Sequence, residues 1–131
     1  MGKCADVCLS MDYDGSNEFY REETRKAGKA HKCCECGDVI PVGALHQVAA
    51  GKTEGVFFTE RTCDPCAEIR AAFCCDGWIF RMLWETVSEE LFPHWNKDLT
   101  AIDCLAKLTT DVAVAKMKQR YADYQEEQPN G

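Results

Sequence analysis

Apolar residues along this chain change their spacing twice, and each change predicts a different kind of element. Residues 1–24 are polar with little periodicity, which predicts an extended N-terminal arm packed on the domain through Leu9, Tyr13, Phe19 and Tyr20. Val39-Ile40 reads as a short strand ahead of a Pro41-Val42-Gly43 turn. Residues 45–50 and 56–60 then read as a hairpin around Gly51-Lys52-Thr53-Glu54-Gly55. From residue 65 the period becomes helical. A helix over 65–75 carries Cys66, Ile69 and Phe73 on one face. After Gly77, a second helix over 78–91 has the stripe Ile79, Leu83, Val87 and Leu91, widened by Phe80 and Trp84, and Pro93 ends it. A third, capped by Asp98 or Thr100 and running to 108, buries Ile102, Leu105 and Leu108. A fourth, capped by Thr109 or Thr110, runs to about 125 with Ala113, Met117, Tyr121 and Tyr124 on one face.

Cysteine spacing adds the chemistry. Cys33-x-x-Cys36 and Cys63-x-x-Cys66 flank the predicted hairpin, an interval suited to one tetrahedral Zn²⁺ held by four thiolates. Gly37 supplies the positive φ such a turn needs. Asp64 can cap the helix, Pro65 fits its first turn, and Cys66 then sits at the positive end of the helix dipole. The predicted class is therefore α+β: a treble-clef-like zinc knuckle and β-hairpin followed by a mainly α-helical C-terminal half. The chain divides into an arm (1–24), a zinc-binding element (25–76), a helical part of the same core (77–125) and a frayed tail (126–131).

The chain has 131 residues, is 46% hydrophobic and holds ten cysteines, so it is a globular domain with a surplus of thiols. With no apolar leader at Met1-Gly2-Lys3-Cys4-Ala5-Asp6, a reducing cytoplasm is the expected compartment, and metal binding is expected ahead of disulfides. No run reaches membrane-spanning length, so no membrane partner is expected. A second zinc site from Cys4, Cys8, Cys74 and Cys75 is the alternative to a simple burial of these thiols. Cys34 reads as a spectator, because Cys34 to Cys36 would give only C-x-C; Cys104 reads as a core residue.

Charge narrows the partners. The formal net charge of −7 disfavours generic nucleic-acid binding and points to a protein with a basic surface. The basic cluster at Arg25, Lys26, Lys29 and Lys32, with His31, is the one segment suited to a phosphate backbone or an acidic partner. Trp78, Trp84 and Trp95 read as core, with an exposed partner anchor or a homodimer interface as the alternatives. Catalysis finds no constellation. Four thiolates close a zinc site, the helix after Cys66 offers no His or Asn for a His-metal nuclease, and residues 37–62 hold only His46 for a RING-type second site.

The order Glu18-Phe19-Tyr20, Thr24-Arg25-Lys26-Ala27, His31-Lys32-Cys33-Cys34-Glu35-Cys36-Gly37, Ile40-Pro41-x-Gly43 and Thr62-Cys63-x-x-Cys66 resembles a group of small zinc-binding proteins of bacteriophages and prophages. The resemblance is strongest over residues 17–66 and departs at Leu45-His46 and at Lys52-Thr53-Glu54-Gly55. It implies a phage or prophage origin, a bacterial host cytoplasm and a structural zinc, and no reaction. The expectation that follows is a non-enzymatic protein-interaction module, in its sharper form an anti-CRISPR-type inhibitor of a host defence complex; the alternative is a nucleic-acid-binding or regulatory zinc protein.

Overall fold

The computed structural model describes residues 4, 7–9, 17–75, 77–95 and 100–127, and every statement below concerns these. Tyr13, Asp98 and the last four residues of the expected tail lie outside them. In chain order the elements are β1 (Asn17–Lys26), β2 (His31–Lys32), β3 (Val39–Ile40), β4 (Leu45–Thr53), β5 (Val56–Cys63), α1 (Asp64–Phe73), α2 (Leu83–Glu90), a 3-10 turn over Phe92–His94, α3 (Ala101–Leu105) and α4 (Asp111–Glu127). This is the expected α+β class.

The larger sheet is antiparallel in the order β1-β4-β5, and β2 and β3 form a second, two-stranded sheet. Its hairpin is longer and tighter than the sequence suggested. Thr53 pairs with Val56, which leaves Glu54 and Gly55 as a two-residue turn, both at positive φ (51° and 81°). That conformation matches the right-handed twist of the flanking strands. Gly51 is a strand residue paired with Phe58, and a Cβ there would lie 2.6 Å from the Phe58 ring and 2.7 Å from Phe19 O, so the position suits glycine. The expected arm also changes character. Residues 17–24 are part of β1, an edge strand paired along its length with β4, from Asn17 opposite Thr53 to Lys26 opposite Leu45. Phe19 remains exposed, Tyr20 is partly exposed but lies against the Phe58 and Phe80 rings, and Leu9 is buried, its N–H donating to Phe73 O at 2.8 Å.

The helices meet one continuous core that includes Ile40, Ile69, Phe73, Leu83, Trp95 and Met117. α1 begins at Asp64, with Cys63 at the cap position and no side-chain cap, so Asp64 is a first-turn acid and not the cap. α2 is shorter than expected. Arg81 sits at φ 76°, a left-handed conformation that helix cannot cross, so Trp78, Ile79 and Phe80 precede the helix instead of extending its stripe. Trp84 and Trp95 are core residues; Trp78 is half-buried. Thr100 caps α3, its Oγ1 accepting from Asp103 N–H at 3.1 Å, but Ile102 faces solvent and Cys104 takes the buried position. In α4, Thr110 caps by accepting from Ala113 N–H, and Ala113 and Met117 are buried with Tyr121 and Tyr124 packed beside them. Among the described residues no helix is long and apolar enough to cross a membrane.

Candidate metal centre

Local backbone geometry makes the first half of the site. The Cys33–Gly37 turn closes through Gly37 N–H to Cys33 O at 3.0 Å, and Gly37 adopts φ 78°. Cys33 N–H to Asp38 O, at 2.9 Å, carries the chain on toward β3. Cys34 N–H donates to Arg61 O at 2.8 Å, which fastens the turn to the side of β5. The end of β5 and the first turn of α1 then deliver Cys63 and Cys66. The four sulfurs lie within 4.8 Å of one another, with Cys36 and Cys63 3.8 Å apart. A tetrahedral ion with metal–sulfur distances of about 2.3 Å requires sulfurs about 3.8 Å apart, so this donor set fits one metal ion.

Every one of the four sulfurs faces an N–H donor. Cys33 Sγ accepts from the backbone N–H groups of Glu35, Cys36 and Cys63 at 3.4–3.5 Å. The Trp84 indole N–H donates to Cys66 Sγ at 3.3 Å. Lys116 Nζ reaches Cys36 Sγ at 3.0 Å and Cys63 Sγ at 3.8 Å while pairing with Asp38 at 2.8 Å. These donors offset thiolate charge, the role that outer partners of metal ligands perform. Close approach also splits the thiols. Contacts with Cys36, Cys63 and Cys66 pull the Cys33 thiol far below its ordinary value, while contact with Cys33 chiefly pushes the Cys63 and Cys66 thiols up. Cys36 is raised by Cys33 but lowered more by Cys63, Cys66 and Lys116, and ends at about 5. Four thiolates at this spacing need a cation among them.

A buried ion pair braces the cluster. Arg70, on the inner face of α1, donates to Glu35 Oε2 at 2.8 Å, and both side chains are essentially inaccessible (1% and 0%). Glu35 Oε1 also accepts from Leu83 N–H at 3.1 Å, and Arg70 bonds Thr62 Oγ1 at 3.2 Å and Gln47 Oε1. The Trp78 and Phe80 rings cover the guanidinium, with centroids 4.5 and 5.0 Å away. Knuckle, sheet, α1 and the entry to α2 thus converge on one charge pair.

The expected second zinc site is not formed. Cys4 is disulfide-bonded to Cys104 and Cys8 to Cys75, while Cys74 is a buried free thiol that burial raises to about 11. Cys75 is taken by its bridge to Cys8 while Cys74 keeps its thiol, so the two share no centre, and Cys104 is a bridge as well as a core residue. A cysteine cluster able to hold a metal ion and two disulfides therefore coexist, whereas the sequence put metal binding ahead of disulfides. Cys34 stays outside the cluster, bonded to Thr62 Oγ1 at 3.3 Å, its thiol raised to about 11 chiefly by burial.

The basic cluster divides. Strand alternation puts Arg25 and Lys26 on opposite faces of β1, Lys29 is in the turn before β2, and Lys32 is in β2. His46 is fully buried, with Arg61 donating to Nε2 at 2.8 Å, so Nδ1–H donates to Ala44 O at 3.2 Å. Sequence reasoning missed Glu35, Arg70 and Lys116. A signal existed for Arg70, one turn beyond Cys66 on the same helical face, and a weaker one for Lys116, one turn after Ala113. Glu35 carried none.

No protein-family model matches the chain, and no curated protein or solved structure matches it either.

Proposed function

We propose that this protein is a non-catalytic binding module folded around one structural Zn²⁺, with Cys33, Cys36, Cys63 and Cys66 as ligands in a treble-clef-like arrangement of knuckle, hairpin and helix. The observation that carries the reading is the pairing of four clustered sulfurs with a complete set of N–H donors. Zinc favours four thiolates, and such a set fills its coordination and leaves no position for a substrate or an activated water. The metal's contribution is then folding free energy, because no preformed site exists in the unfolded chain. The work of the protein falls to surfaces outside the cluster. The phage likeness, and the inhibition of a host defence complex inferred from it, add no residue to this argument.

Metal analysis and chelation test it. One zinc per chain, a tetrahedral thiolate spectrum on cobalt substitution, and loss of both in Cys66→Ser are expected. Less than one ion per chain, with helicity intact after chelation, overturns it.

A further inference from the structure

Register gives the large sheet two unlike faces. Gln47, Ala49 and Thr62 point toward α1, where Gln47 and Thr62 meet Arg70. Alternation then places Phe19, Arg21, Glu23 and Arg25 of β1 on the opposite face, with His46, Val48, Ala50 and Lys52 of β4 and Phe57, Thr59 and Arg61 of β5. Among the described residues α1 packs on the other face, and this second face is covered only at its His46 end, where β2 lies over it with His31 5.9 Å from the His46 ring. Four cationic side chains stand there against a single acid, Glu23, in a chain whose net charge is −7. Of the sheet's other described acids, Glu22 and Glu60 lie on the α1 side and Glu54 is in the hairpin turn. Further acids gather at Glu85, Glu89 and Glu90 of α2 and at Asp123, Glu126 and Glu127 of α4.

The cations line two cavities that share Thr59 and Arg61. A cavity of about 200 Å³ is bounded by Arg21, Glu23, Arg25, Thr59 and Arg61 over a floor of Val48 and Ala50. Thr59 and Arg61 also border a cavity of about 540 Å³ whose other walls include His31, Lys32, and Arg81 paired with Glu60 at 3.2 Å. Arg25 pairs with Glu23 and Arg61 bonds buried His46, so both guanidinium groups are oriented by the sheet. At the hairpin end, Phe19 and Phe57 are exposed (46% and 69%), their centroids 5.8 Å apart, with Lys52 Nζ 5.2 Å from the Phe57 ring. Exposed aromatic rings beside a track of arginines match the two needs of an unpaired polynucleotide: π-faces for bases and charge for phosphates.

We infer that this sheet face binds single-stranded nucleic acid, with Phe19 and Phe57 stacking unpaired bases and Arg21, Arg25 and Arg61 neutralising phosphates. The inference rests on the reading of the protein as a binding module and names its partner. Net charge alone pointed to a basic protein; the open face is itself basic, which reverses that expectation locally. A duplex satisfies the arginines but leaves the rings nothing to stack on, since its bases are already stacked inside. An acidic peptide likewise leaves the rings idle.

Fluorescence anisotropy on the full, zinc-loaded chain tests this with labelled oligo(dT) and oligo(U) of about 12 nucleotides, a duplex of equal length and polyglutamate. Binding of either single strand ahead of duplex and polyglutamate supports the inference, and the tighter of the two identifies the sugar. Three neutralised phosphates predict an affinity loss of about 20-fold between about 50 and 200 mM salt. Arg21→Glu and Phe57→Ala, both at exposed positions, each weaken binding about tenfold or more while zinc content and melting temperature stay at the parent values. Four outcomes overturn the inference: no binding at about 50 mM salt, affinity indifferent to salt, duplex or polyglutamate bound as tightly as the single strands, or both variants binding like the parent chain. The zinc measurement is separate, so a failed binding surface and a failed metal centre are distinguishable.

Discussion

Cysteine staples two regions of this molecule, by different chemistry in each. At the knuckle, Cys33 and Cys36 come from one tight turn and Cys63 and Cys66 from one strand–helix junction, and backbone, indole and ammonium N–H groups point at their sulfurs. At the N-terminal segment, the bridges join residues 100 and 67 apart in sequence. There the protein grips the backbone beside the sulfur: Cys4 N–H donates to Asp103 Oδ2 at 2.6 Å, and Cys4 O accepts from Lys107 Nζ at 3.2 Å. Short spacing with N–H donors makes a cluster of thiolates suited to a cation, whereas long separation makes a cross-link that mainly restricts the unfolded chain. The same residue type follows two rules because its surroundings differ.

Removing the metal should break the comparison most sharply. Chelation or Cys66→Ser is expected to remove about 10 kcal/mol of folding free energy and to collapse the sheet and helix signals in circular dichroism. The bridges should survive it, and thiol titration of the unfolded, unreduced chain should find the six cysteines Cys33, Cys34, Cys36, Cys63, Cys66 and Cys74. A count of ten would remove the disulfide half of the contrast. Next in size is Glu35→Ala, which leaves Arg70 charged and buried without its partner and should cost about 3–5 kcal/mol in urea unfolding. Little change there would mean that the cluster stands without its ionic brace.

Cys4→Ala with Cys104→Ala should cost about 2–4 kcal/mol in thermal or denaturant unfolding and leave the zinc content at one per chain. Loss of zinc in that variant would show that the two staples are one unit. The smallest effect is expected from Lys116→Met, which withdraws the ammonium from Cys36 and Cys63 and should weaken metal affinity about 10–100-fold in a competition titration. An unchanged affinity would assign Lys116 to its ion pair with Asp38 alone.

Much of the site was legible where chemistry is local. The doubled C-x-x-C, the knuckle glycine and the inward face of α1 all follow from a few neighbouring residues, and the structure brings the four cysteines together. The Ala113, Met117, Tyr121 and Tyr124 stripe of α4 was readable for the same reason. β1 was not, because both of its faces are polar: Arg21, Glu23 and Arg25 alternate with Glu22, Thr24 and Lys26. Such a strand is held by its ladder to β4 rather than by burial of its own side chains, and no periodicity announces it. The start of α2 was misjudged for another reason. Ile79 and Phe80 stand four residues before Leu83 and Trp84, which is helical spacing. The Trp78 and Phe80 rings nonetheless lie against Arg70, and Arg81 takes a left-handed conformation between them and the helix.

By itself, then, the sequence determined the elements that short-range spacing dictates: one four-cysteine cluster, a hairpin between its two halves whose turn lies within residues 51–55, and the helix that carries Cys66. Only the tertiary structure decided which distant groups meet. It matched Cys4 with Cys104 and Cys8 with Cys75, set Glu35 against Arg70, brought Lys116 and Trp84 to the sulfurs, and drew Arg21, Arg25 and Arg61 onto one open face. Turns and helix faces are governed by residues a few positions apart. Bridges, buried charge pairs and surface charge depend on the packing of segments that the sequence holds far apart, so net charge and cysteine count set neither their number nor their pairing.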